Sequence, residues 1–157
     1  MQTICIISGV QHIVELLVVI AIIGVLSAVV LASLNTARSK GNDAAIESNL
    51  STIQTQAEVD YASNTYYTLA NSYGSNSALS TGCSAASTIF ADPTIANAAA
   101  QAETANGSGT VTCNVAAGGT AYAVSSTMVN DNTKYWCVDS TGFAGQKTSS
   151  LGTNTKC

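Results

Sequence analysis

Apolar residues crowd the first quarter of the chain and then thin into a periodic scatter. From Leu16 to Ala37, 22 consecutive residues carry no charge. At about 1.5 Å rise per residue such a run forms a helix of about 33 Å, enough to cross a bilayer core. One acid, Glu15, stands at its edge, where an ionisable group is costly in lipid unless something pairs with it. Beyond the run, Leu34, Ala37, Gly41, Ala44, Ala45, Ile46, Leu50, Ile53, Ala57 and Tyr61 recur at spacings of three and four. Lys40, Asp43, Glu47, Ser51, Gln54 and Glu58 fall mostly on other faces. The pattern predicts one helix of about fifty residues, apolar all round in its first half and amphipathic in its second. The same element then serves as a membrane anchor at one end and the spine of a globular domain at the other.

From Ser63 to Gly82 the periodicity dissolves into Asn, Ser, Thr, Tyr and Gly, which predicts a surface loop with aromatic contacts from Tyr66, Tyr67 and Tyr73. Asp92-Pro93 reads as an N-cap followed by the residue best tolerated in a first turn. Ile95, Ala98, Ala99 and Ala102 follow at helical spacing until Asn106-Gly107 ends a short second helix. Then the period changes to two. VTCNV from Val111, TAYAVSSTM from Thr120 and KYWCVDS from Lys134 alternate β-formers around a Gly118-Gly119 turn and an Asn130-Asp131-Asn132 turn, an antiparallel meander of three strands. The tail from Gly142 is expected to return as a short edge strand held by Cys157. A sheet this small is expected to bury one face only, with Ile46, Leu50 and Ile53 facing Val111, Val124 and Trp136. The class is α+β, one long N-terminal helix with its apolar half protruding, packed on a small β-meander.

The order Glu15-Leu-Leu-Val-Val-Ile-Ala-Ile-Ile-Gly24, continuing through small residues into a polar helix, resembles the N-terminal segment of type IV pilins and of their secretion-system relatives, the pseudopilins. The resemblance covers the first third of the chain closely and the rest by architecture. In that family a basic leader ending in Gly is removed by a prepilin peptidase, the new N-terminal residue is methylated, and a Glu follows four residues later. Aligned on Glu15, the mature chain begins at Gln11, residues 1–10 take the place of the leader, 11–40 form the transmembrane and filament-core helix, and 41–157 form the head. Within the head, the divisions are a helix over 41–62, a loop and short helix over 63–108, and the meander over 110–157.

The leader departs from the pattern. Val10 stands where the family has Gly, with Gly9 one place early, and no Lys or Arg precedes Arg38. A displaced reading start upstream of Ile13 is the favoured account, and a variant cut poorly or left uncut is the other. A secretory signal peptide fits less well, because the apolar core is too long and lacks a basic start. Ala32 also occupies the place of a helix-breaking Pro common in the family.

The resemblance implies that the Glu15 carboxylate pairs with the N-terminal amine of a neighbouring subunit, at Gln11, which sets the axial step of a helical polymer. Ile13, Val14, Leu16, Leu17, Val18, Ile20, Ile22, Ile23, Gly24, Leu26 and Leu31 would leave lipid to line the filament core. Ala21, Gly24, Ala28 and Ala32 form a strip of small residues that lets helices approach closely.

Composition narrows the function further. Only 9% of residues are charged and the net charge is −4, so there is no basic surface and no dedicated nucleic-acid site. Cys83, Cys113, Cys137 and Cys157 make an even set beyond the apolar run, and Cys5 lies in the leader. Without a CxxC or a second His to join His12, zinc and haem lack ligands, so two disulfides are expected and neither metal nor cofactor. Of three possible pairings, Cys83 with Cys113 and Cys137 with Cys157 is preferred, since each closes a moderate loop and the second staples the carboxyl terminus. With few bulky residues available for a core, cross-links of about 2–4 kcal/mol each carry much of the stability.

Asn130, Asp131, Asn132 and Asp139 are weighed as a calcium loop, and a plain turn is preferred. Asn49 and Asn106 stand in N-x-S/T sequons on what is expected to be an ordinary solvated surface. No acid–base or nucleophile constellation argues for an enzyme.

The expected function is therefore a structural subunit, the major pilin of a type IV pilus, serving surface roles such as adhesion, motility or DNA uptake. Its partners would be itself, the inner-membrane assembly platform and the prepilin peptidase. It would reside in the cytoplasmic membrane before assembly and in an extracellular filament afterwards. The alternatives are a pseudopilin of a type II secretion system and a membrane-tethered monomeric adhesin or binding domain.

Overall fold

The computed structural model describes residues 3–63, 72–74, 83–107 and 109–157, with side chains from His12 onward. The chain divides into two units, residues 1–38 and 39–157. Helix α1 (Thr3–Ser63) contributes to both. Helix α2 (Pro93–Ala105) and four strands follow: β1 (Val111–Val115), β2 (Tyr122–Thr127), β3 (Tyr135–Asp139) and β4 (Ala144–Lys147). This is the α+β class read from the sequence. Helix α1 begins at Thr3, within the stretch assigned to the leader, where Gly9 is the residue of lowest helix propensity.

In residues 39–157 the sheet is antiparallel throughout, in the order β1-β2-β3-β4. The tail supplies the edge strand β4, and its register places Ala144 opposite Val138 and Lys147 opposite Tyr135. Period two puts Cys113, Val124 and Val138 side by side on one face. Ile46, Leu50, Ile53 and Ala57 of α1 join them in one buried cluster, with Val111 buried and Trp136 half-buried against it. Helix α2 adds Ile95, Ala98, Ala99 and Ala102 to the same core. Its start follows the sequence closely: the Asp92 carboxylate accepts from the Thr94 and Ile95 amides at 2.7 and 3.1 Å, and Pro93 opens the helix.

The sheet does not bury one face only. Leu151 lies on Ala123 and Cys137 on the opposite side, with Cys157 packed against them. Buried Asn114 donates from Nδ2 to the carbonyls of Gly152 and Asn154 at 2.9 and 2.6 Å. The tail from Gly142, expected to return only as a short edge strand held by Cys157, supplies that strand and then crosses back as a third layer, held by Leu151, the Asn114 amide, the Cys137–Cys157 bridge and the Asp139 carboxylate.

Tyr73 departs from expectation as well. It is buried, stacked on Tyr61 and edge-on to Tyr122, with ring centroids 4.5 and 4.7 Å away, and its hydroxyl donates to Glu58 Oε1 at 2.6 Å. Burial and the neighbouring Glu58 push its phenol well above the usual tyrosine range. The Tyr73 amide donates to the Gly119 carbonyl at 2.6 Å, and the Ile89 amide donates to the Tyr73 carbonyl at 3.2 Å. This close approach is why Gly119 is a glycine: at φ 65° it lies so near the Gly74 backbone that a Cβ would collide with it. Tyr66 and Tyr67 lie outside the described residues.

Candidate functional site

Residues 12–38 form a stretch of α1 with no core of its own. Every large apolar side chain from Ile13 to Leu34 is between 51 and 66% exposed. The filament-core candidates Ile13, Val14, Leu16, Leu17, Val18, Ile20, Ile22, Ile23, Leu26 and Leu31 are all in this state. Gly24 has open space where a Cβ would stand. A shallow groove along the helix is lined by Val18, Ala21, Ile22, Val25 and Leu26, because the small Ala21 leaves a hollow between larger neighbours one turn away on either side. By length and composition α1 is the one helix among the described residues able to cross a membrane.

Glu15 lies at the start of this surface, exposed, with Oε2 3.4 Å from His12 Nδ1 one turn earlier. From the sequence alone His12 is weighed as a catalytic or metal-binding residue and lacks the partners for either. The signal that could have found its partner was the i, i+3 spacing, which places two side chains on one helix face. Gln11 is within α1, and its side chain is outside what the structure describes.

The remaining candidates all lie in residues 39–157. Cys83 is bonded to Cys113 and Cys137 to Cys157, with Cα separations of 5.3 and 6.0 Å. The four polar residues weighed as a calcium loop separate into two local motifs. Asp131 turns onto the amide and hydroxyl of Thr133 at 3.1 and 2.6 Å and pairs with Lys134, and these bonds hold its carboxyl below the usual range.

Buried Asp139 accepts from the Thr141 hydroxyl and amide at 2.5 and 2.8 Å, from the Phe143 amide at 3.3 Å and from the Cys157 amide at 2.8 Å. Burial pushes the Asp139 carboxyl up, but these donors together bring it below the ordinary value. Asp139 is thus an anchor for the β3–β4 turn and for the chain end beside the Cys137–Cys157 bridge. No group of three or more His, Cys, Asp or Glu among the described residues is placed to hold a metal ion.

The Asn106 sequon is engaged internally, since its Nδ2 donates to Ser126 Oγ at 2.9 Å. Asp43, read as a solvent-facing acid, instead accepts from the Val129 and Asn130 amides, with the shortest contact 2.6 Å. It ties α1 to the turn between β2 and β3, a long-range pairing that helical periodicity alone does not encode. No protein-family model, curated protein or solved structure matches the chain.

Proposed function

We propose that the chain is a filament-forming structural subunit, the major pilin of a type IV pilus. One observation carries the reading: a helical stretch with every large apolar side chain uncovered and one acid at its edge. Uncovered apolar surface on this scale requires either lipid or other chains. The carboxylate adds a register requirement, because a helix that slides into an apolar bundle without matching the charge leaves it unpaired in a low dielectric.

The long apolar helix, the antiparallel sheet packed on the polar half of α1 and the disulfides are compatible with a pilin-like head. In this reading the subunit waits in the cytoplasmic membrane and is trimmed by a prepilin peptidase. An inner-membrane platform then adds it to an extracellular polymer, where Gln11 and Glu15 of adjacent copies meet. The proposed role is structural and not enzymatic.

Electron microscopy of sheared surface material tests the reading: thin filaments containing this chain are expected, and recovery of the chain solely as a detergent-extracted monomer would favour a tethered binding domain. Glu15→Ala is expected to abolish incorporation while leaving membrane insertion intact. Normal filaments from that variant would refute the pairing role.

A further inference from the structure

Val111, Cys113 and Val124 belong to the core between the sheet and the helices, so period two turns Thr112, Ser125 and Thr127 to the other face, with Tyr135 opposite Thr127. These four, with Thr110, line one side of a cleft of about 370 Å³ whose other wall is Ser150, Gly152 and Thr153 of the tail. That wall is fixed from three sides. Leu151 is buried on Ala123 and Cys137, the Gly152 carbonyl accepts from Asn114 Nδ2 at 2.9 Å, and the Cys137–Cys157 bridge ties the chain end.

Seven of the eight lining residues carry a hydroxyl and none is charged. Lys147, across from Tyr135 on β4, instead places Nζ 5.5 Å from the centre of the Phe143 ring. None of the seven hydroxyls makes a hydrogen bond among the described residues, although Ser125 is only 3% exposed. Packed hydroxyls elsewhere are used: Thr88 donates to the Ala85 carbonyl at 2.7 Å, and Ser126 accepts from Asn106 at 2.9 Å.

An ion entering the cleft would give up hydration without meeting an opposite charge, and an apolar ligand would leave the hydroxyls dry. The strand backbones beneath are already paired within the sheet, so recognition falls to side chains that both donate and accept. Tyr135 adds an apolar ring with a polar tip. A pyranose presents the matching surface, C–H faces rimmed by hydroxyls, and a cleft near the lower end of the usual 300–1,000 Å³ suits a small ligand. We propose that this cleft binds one neutral pyranose unit, free or at the end of a glycan. The site lies wholly within residues 39–157 and does not depend on the filament reading.

The test is amide NMR of the full chain in phosphocholine micelles, which carry no sugar, titrated with neutral methyl pyranosides of glucose, galactose, mannose and N-acetylglucosamine. Saturable shifts are expected at Thr112, Ser125, Thr127, Tyr135 and residues 150–153 with at least one of them. Thr127→Val, which keeps the β-branched shape, should weaken that binding about fivefold, the worth of one net hydrogen bond, at an unchanged unfolding midpoint. Tighter binding of the matching disaccharide assigns the cleft to the end of a glycan, and equal binding to a lone sugar; both sustain the proposal. No saturable shift at tens of millimolar, equal shifts with glycerol, or undiminished binding by Ser125→Ala with Thr127→Val would overturn it.

Discussion

Leu31 and Leu50 belong to one helix and have opposite surroundings: the first is 62% exposed and the second fully buried. Around Leu31 every turn of α1 is apolar and none of it is covered. Around Leu50 apolar residues keep to one stripe, and that stripe is closed by β1, β2, β3 and α2. The second half of the helix completes its burial within its own chain, with bulky residues on α1 set against small ones on α2 and cross-links that reduce the entropy of the unfolded chain. The first half has no such burial among the described residues, and in the proposed function lipid or other copies would supply it. An amphipathic stripe therefore marks a helix that belongs to its own domain, while an all-round apolar surface with a lone charge at its edge finds no cover among the described residues, which is what the proposed assembly would supply.

Truncating the two leucines tests that contrast most severely. Leu50→Ala is expected to cost the fold about 2–5 kcal/mol through lost burial and the cavity left behind. Leu31→Ala should leave the unfolding transition where it is and alter only filament yield. Urea unfolding of the full chain in detergent, followed by fluorescence of Trp136, separates the two. Equal losses at both positions would mean that the first half has an internal partner after all.

Removing the tail's cross-link by Cys137→Ser with Cys157→Ser should cost about 2–4 kcal/mol. It should also open residues 148–157 to proteolysis, because Leu151, Asn114 and the bond from the residue 157 amide to Asp139 would then hold the third layer without a covalent tie. Unchanged resistance to cleavage would show that the bridge is incidental to that layer.

Much of this organisation was legible in the residues, for identifiable reasons. The period along α1, the Asp92-Pro93 start of α2 and the Gly118-Gly119 turn are local signals, and local signals survive in a single sequence. The disulfide pairing rested on spacing alone, which worked because both loops are moderate and the second bond closes on the chain end. Long-range polar pairing was not legible. Asp43 reaching the β2–β3 turn, Asn114 holding the tail, Asp139 gathering four donors and Tyr73 turning inward onto Glu58 all join residues that no periodicity relates. At the candidate site the acid was evident from its isolation, whereas His12 was overlooked because it was weighed as a metal ligand and not as the partner one turn away.

The smallest effect concerns two buried acids in the half of the chain that completes its own core. Asp139 sits below its ordinary range, so its contribution is present above the unfolded carboxylate value near 3.8 and is lost as pH falls through the folded value. Asp60 is shifted the other way: burial, then the charge of Asp92, raise it, and Gln56 offsets this only in part. Its Oδ2 is buried with no hydrogen-bond partner among the described residues. The folded state therefore retains the Asp60 proton above 3.8, where the unfolded chain has released it, and stability falls as pH rises through that interval. Asp60→Asn removes the charge and keeps an oxygen for Gln56, so the variant should be more stable than the wild type at pH 7, by about 1 kcal/mol. The gap should close as pH falls to 3, where the unfolded chain largely regains the Asp60 proton that the folded state already holds. A gap of the same size at both pH values would mean that the shape of the side chain, and not its charge, sets the cost of burying an acid at this position.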